Sequence, residues 1–194
     1  MNGCETKRFL KHCANPIGHT EPPQSSTAES TSKTLMRTPD QNRVLFLDFD
    51  GVLHPPKAIA GARPPLTPAQ IRAGWPQTFQ HLPLLAQLLQ AHTDIGVVVS
   101  SSWRLFLSED ELGELLSPIA PWYAGALHPC LTQRDEAIKD WLAQNNITDF
   151  AVLDDVPRFF SGYPSQWPQL IVCNAALGIA DIQVQQRLQA WLNG

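Results

Sequence analysis

No stretch of this chain approaches the ~18 to 20 continuous apolar residues that a membrane-spanning helix requires, so no membrane partner is expected. Positive charge is also scarce: 14 Lys and Arg stand against 18 Asp and Glu, a formal net charge of −4. That balance argues against broad, sequence-independent attraction to nucleic acid. The four cysteines, Cys4, Cys13, Cys130 and Cys173, lack a paired spacing and fit a reducing compartment better than a disulfide framework. Cys4, His12, Cys13 and His19 likewise match no standard zinc-finger spacing. No apolar leader region follows Lys7, Arg8 and Lys11, which disfavours secretion and makes a cytoplasmic location the expectation.

What is present divides in two. Residues 1–42 include the polar tract Glu21 to Lys33, which has no apolar period and too little hydrophobic surface to offset its ordering entropy. A disordered tail is expected there, followed by a single domain over residues 43–194. In that domain the run Val44-Leu45-Phe46-Leu47 reads as a strand buried on both faces, and it ends abruptly in Asp48-Phe49-Asp50-Gly51-Val52-Leu53. Ligands bind at such strand ends in open α/β sheets. Ionised carboxylates buried there without a partner would lose several kcal/mol of solvation, a cost that a divalent cation offsets. An ordinary surface turn after a strand is the competing reading of these residues alone.

The pattern Asp-x-Asp-Gly-Val-Leu after a hydrophobic strand resembles the first motif of the haloacid dehalogenase superfamily, whose members are mostly phosphatases that act through an aspartyl-phosphate. Further segments follow in the order the resemblance requires. Ile95 to Val99 forms a second buried strand that runs into Ser100-Ser101-Ser102-Trp103-Arg104. The resemblance gives Ser100 a phosphoryl oxygen to bind, whereas Ser100 to Ser102 by themselves read as a helix cap or turn. Arg104 fits either a phosphate clamp or a surface ion pair, and Trp103 reads as a packing residue. A helix beginning at Arg134 follows a weak third strand within residues 122–127. The resemblance places a basic group in or before that helix, and both Arg134 and Lys139 qualify. Five residues apart on a helix they point about 140° away from each other, and Arg134 is preferred because the helix start faces the strand ends. Residues 149–153 form another strand, ending in Asp154-Asp155. These resemble the fourth motif, where two acids ligate metal.

The implied fold is α/β and Rossmann-like: a mostly parallel five-stranded sheet flanked by helices, with no full cap domain. The implied activity is Mg²⁺-dependent hydrolysis of a phosphomonoester. Asp48 would be the nucleophile and Asp50 the general acid and base, with Ser100, Arg134, Arg104 or Lys139 on the phosphate. Asp48, Asp50 (through its backbone carbonyl), Asp154 and Asp155 would hold Mg²⁺. More narrowly, Asp-Phe-Asp-Gly-Val-Leu-His-Pro, Ser-Ser-Ser-Trp-Arg and Leu-Asp-Asp resemble the small uncapped branch found as domains of Swiss Army Knife RNA repair proteins. The substrate stays open between a small phosphomonoester, a nucleic-acid end and a phosphoprotein. A receiver-like or phosphate-binding domain without efficient turnover is the alternative.

Other residues carry weaker indications. His54 suits either contact with substrate or an ordinary loop position. Lys57, Arg63 and Arg158 could meet phosphate. Leu82, Leu85, Leu88 and Leu89 predict a helix over about residues 79–92, and Ser108 with Glu111 predicts a capped helix through Leu116. The proline-marked connection between His54 and that first helix is expected to overhang the strand ends.

Overall fold

The computed structural model describes residues 41–56, 66–131 and 133–194. The expected tail, apart from its last two residues, lies outside them, as do Lys57 and Arg63.

Five strands form the sheet: β1 (Arg43–Leu47), β2 (Ile95–Val99), β3 (Tyr123–Ala126), β4 (Asp149–Asp154) and β5 (Leu170–Val172). Their order is β3-β2-β1-β4-β5, and every pairing is parallel. β1 is therefore central. Parallel neighbours need crossovers, which the helices provide: α1 (Pro68–Gly74), α2 (Leu82–Leu89), α3 (Glu109–Leu115), α4 (Arg134–Asn145) and α5 (Ile182–Leu192). Side chains of β1 alternate between two cores. Leu45 and Leu47 pack on one side with Leu85, Leu89, Leu112 and Leu188. Val44 and Phe46 pack on the other with Ile138, Phe160 and Trp167. Each such fully buried side chain stabilises by about 1.5–3 kcal/mol relative to exposure, so an unbroken apolar run is what a central strand covered on both faces requires.

Two expectations need adjusting. α2 starts at Leu82 because residues 76–81 form turns instead of helix. The connection after His54 holds α1, whose start is a full capping box: Thr67 accepts from the Gln70 backbone and Gln70 reaches back to Thr67. Thr-Pro-Ala-Gln carries that signal in the sequence, obscured by the surrounding prolines. Ser108 and Glu111 form the predicted box for α3. Cys173 is a free, buried thiol. No helix among the described residues is long and apolar enough to cross a membrane.

Candidate active site

Strand register decides which residues meet. Leu47 stands level with Val99 on one side and with Leu153 on the other. The next residue of each strand, Asp48, Ser100 and Asp154, therefore emerges at one level above the C-terminal edge of the sheet. Backbone bonds carry the ladder to that point, with Asp48 N–H donating to Leu153 and Ser100 N–H to Leu47.

Carboxylate oxygens of Asp48, Asp154 and Asp155 lie within 4.8 Å of one another. Asp48 and Asp154 are buried and Asp155 is partly so. Gly51 makes room for the third acid: its φ is +71°, and a Cβ there would collide with the Asp155 carboxylate. Each of the two buried acids uses one oxygen on a backbone N–H, Asp48 from Phe49 at 2.9 Å and Asp154 from Val156 at 2.8 Å. Their remaining oxygens share Arg134, whose Nη1 donates to Asp48 at 2.6 Å and also to Asp154.

Arg134 occupies the first position of α4, where the helix dipole favours anions, as Asp135 and Glu136 behind it do. A cation in that place is held by the acids it faces. Arg134 does not balance them. Like charges at about 4 Å repel by roughly 4 kcal/mol at an effective dielectric near 20, and three carboxylates surround one guanidinium. Burial, together with the neighbouring Asp48 charge, accordingly pushes the Asp154 carboxyl up to about 7 despite its bonds to Arg134 and Val156. Asp155 moves the same way, first through burial and then through Asp48. A set of hard carboxylate oxygens with surplus negative charge fits a divalent cation such as Mg²⁺.

Ser100 Oγ is fully buried beside these groups and has no hydrogen-bond partner among the described residues. An unmet buried hydroxyl is uncommon, and here it sits level with Asp48, where a phosphoryl oxygen would satisfy it. Arg104 is buried as well, but its two Nη groups donate to the carbonyls of Ser100, Ser101 and Leu131, while its Nε has no partner among the described residues. It braces the loop after β2. Burial and the nearby Arg134 bring its guanidinium down to about 10, against the pull of Asp48. Lys139 is not brought to the site: it is exposed, and its ammonium lies 5.3 Å from the ring centre of Trp167.

Asp50 stands outside the carboxylate cluster and engages Trp103 and His54 instead. Its Oδ2 accepts from Trp103 Nε1 at 2.9 Å, and its Oδ1 lies 3.3 Å from His54 Nε2. Burial raises the Asp50 carboxyl, but the His54 and Trp103 N–H groups outweigh it and hold the group below its usual range. His54 is 1% exposed, so it is no ordinary loop histidine. Trp103 does pack, edge-on against Phe49 and Phe79, yet its indole N–H was not anticipated as a partner of Asp50. Indole rarely buries its N–H unpaired, and that was the available signal.

A cavity of about 510 Å³ opens next to Arg134, lined in part by Ser102, Arg104, Gln133, Arg158 and Phe159. The Arg134 guanidinium lies 5.2 Å from the Phe159 ring centre. Asp135 secures this wall, accepting the Ser161 backbone N–H at 3.1 Å. Arg158, a candidate from the sequence, and Phe159, which the sequence does not single out, thus border this cavity.

No curated protein and no solved structure gives a significant match to the chain. The family model for the HAD domain in Swiss Army Knife RNA repair proteins matches residues 44–184, a span that takes in both acidic strand ends, Ser100 and Arg134. With the five parallel strands and the acids at their ends, that match shows that the chain belongs to this family of HAD domains.

Proposed function

We propose that the domain is a Mg²⁺-dependent phosphomonoester hydrolase that works through an aspartyl-phosphate on Asp48. The observation that carries this reading is the convergence of Asp48, Asp154 and Asp155, the first two bonded to Arg134, beside the unpartnered hydroxyl of Ser100. Asp48, Asp154, Asp155 and the Asp50 backbone carbonyl would hold Mg²⁺. When bound, the ion neutralises charge between nucleophile and phosphate.

Asp48 attacks phosphorus in line, and the bond from phosphorus to the ester oxygen breaks. Arg134 and Ser100 hold the equatorial oxygens, where charge accumulates. The leaving oxygen takes a proton from Asp50. That carboxyl is held low in the free site, but a phosphate dianion beside it favours its protonated form, since like charges disfavour ionisation. Asp50, now a carboxylate, accepts a proton from the water that attacks phosphorus in the second step. The bond to Asp48 breaks and inorganic phosphate leaves.

The leaving group would lie in the cavity by Arg158 and Phe159. An exposed aromatic ring beside a second guanidinium suits a base and a further phosphate. A nucleotide or a phosphorylated nucleic-acid end is therefore favoured over a phosphoprotein, in keeping with the RNA repair proteins in which this HAD domain occurs.

The test is hydrolysis of p-nitrophenyl phosphate and of nucleotide and oligonucleotide phosphates, with Mg²⁺ and with chelator. Mg²⁺-dependent release of phosphate is expected. Metal binding without turnover across the panel would instead mark a phosphate-binding domain, and stable phosphorylation by a small phosphodonor would mark a receiver-like one.

A further inference from the structure

Asp50 is the acid that the metal cluster leaves out, and its surroundings are unusually specific. Trp103 donates to one oxygen at 2.9 Å. His54 Nε2 stands 3.3 Å from the other, short of full hydrogen-bond alignment. Long contacts of this kind are common in ligand-free catalytic sites and tighten when substrate arrives. The opposite ring nitrogen fixes what His54 can offer: Nδ1 accepts the Phe79 backbone N–H at 3.2 Å. With Nδ1 occupied as an acceptor, the ring proton sits on Nε2, facing Asp50.

Phe79 makes that bond from a left-handed backbone, φ 60°, a strained conformation for a bulky residue. Its ring packs edge-on against both His54 and Trp103. The next turn is tied to the motif loop, since His81 N–H donates to Leu53 at 3.0 Å. A strained residue, a buried histidine in one tautomer and an indole N–H all bear on a single carboxylate, which remains 36% exposed.

We infer that His54, Trp103 and the Phe79 backbone form a cradle that aims the Asp50 carboxyl at the oxygen leaving phosphorus, making His54 and Trp103 positioning residues for proton transfer. The inference rests on the phosphohydrolase reading and adds to it a role for the segment after α1. The proton still passes between Asp50 and the leaving oxygen, and His54 and Trp103 neither gain nor lose one.

Leaving groups separate this role from a structural one. An alkoxide leaves only with a proton, whereas p-nitrophenolate needs little help. Kinetics on an alkyl phosphate and on p-nitrophenyl phosphate, with Mg²⁺, are compared for wild type, His54→Phe, His54→Gln and Trp103→Phe. The Phe variants are expected to lose at least about 10-fold more kcat/KM on the alkyl ester. His54→Gln, which restores a donor near the Nε2 position, should keep the wild-type ratio within about 3-fold. In an Asp50→Asn background, His54→Phe should change the ratio no further, because its effect passes through Asp50.

Equal losses on both esters, or a further change in the Asp50→Asn background, overturn the cradle while leaving the phosphatase reading intact. If wild type hydrolyses neither ester nor any nucleotide, the phosphatase reading falls and the cradle with it. Should His54→Phe fail to fold, the Trp103→Phe ratio decides.

Discussion

The acids that end β1 and those that end β4 start from the same situation, a strand buried on both faces reaching the edge of the sheet, yet they are disposed in opposite ways. Strand alternation would send residues two apart to one side and adjacent residues to opposite sides. Asp48 and Asp50, two apart, separate: one enters the carboxylate cluster, and the other turns to Trp103 and His54. Asp154 and Asp155, adjacent, both reach the cluster. Each chain turns immediately after its strand, so the alternation rule lapses where the chemistry begins. On the proposed phosphohydrolase reading, the β1 pair divides into a nucleophile and a proton carrier, while the β4 pair would hold the metal.

The largest expected effect tests that division directly. Asp48→Asn should reduce turnover of p-nitrophenyl phosphate by at least about 10³-fold, because it removes the proposed nucleophile, with an unchanged far-UV circular dichroism spectrum. Undiminished activity would remove Asp48 as nucleophile and with it the contrast between the two pairs.

Arg134 joins the pairs, since among the described residues it alone bonds an acid from each strand end. Arg134→Gln should cost about 10²–10³-fold in kcat, in line with loss of one charged donor at a developing oxyanion. Lys139→Gln, which alters a lysine over Trp167, should stay within about 2-fold of wild type. A reversed ranking would mean that α4 presents a different face to substrate.

How much of this could be read beforehand follows from the same geometry. The five-residue β1 run, the hydroxyl after β2 and the acids after β4 announce a sheet and its ligand-binding edge, because burial on both faces forces apolar runs and leaves polar residues only at strand ends. The resemblance calls for a basic group near the start of α4 and helix geometry favours Arg134 over Lys139; the structure brings Arg134, not Lys139, to Asp48 and Asp154. The Asp50 surroundings were not legible. They depend on a left-handed Phe79, on a histidine tautomer fixed by a bond across 25 positions, and on an indole 53 positions away. α1 was missed for a different reason: its capping box sits among prolines that read as a loop.

Within the β4 pair a smaller difference is expected. Asp154 is wholly buried and receives Arg134, whereas Asp155 is partly exposed and abuts Gly51. Asp154→Asn should therefore weaken apparent Mg²⁺ affinity, read from the metal dependence of activity or from calorimetry, about 10-fold more than Asp155→Asn does. Equal weakening would make the two acids interchangeable ligands.

The smallest effect concerns protons and metal competing for the β4 acids. Burial and the Asp48 charge place the Asp154 carboxyl at about 7 in the metal-free fold, against about 3.9 in an unfolded chain. Between those values the folded protein binds a proton that the unfolded chain has released, so the stabilisation this group provides is present at low pH and is lost as pH rises through about 7. Metal requires the same carboxylate without its proton. Added Mg²⁺ should therefore raise Tm by a few degrees more at pH 8 than at pH 5.5, given that each kcal/mol moves Tm by about 2–4 °C in a chain of this size. The β1 pair supplies the internal control. Asp154→Asn should abolish most of the pH dependence of the Mg²⁺ effect, whereas Asp50→Asn, whose side chain stands outside the cluster, should leave it in place. A Tm gain independent of pH in the wild type would mean that the β4 acids are already ionised without the metal, and that the cluster tolerates its own charge.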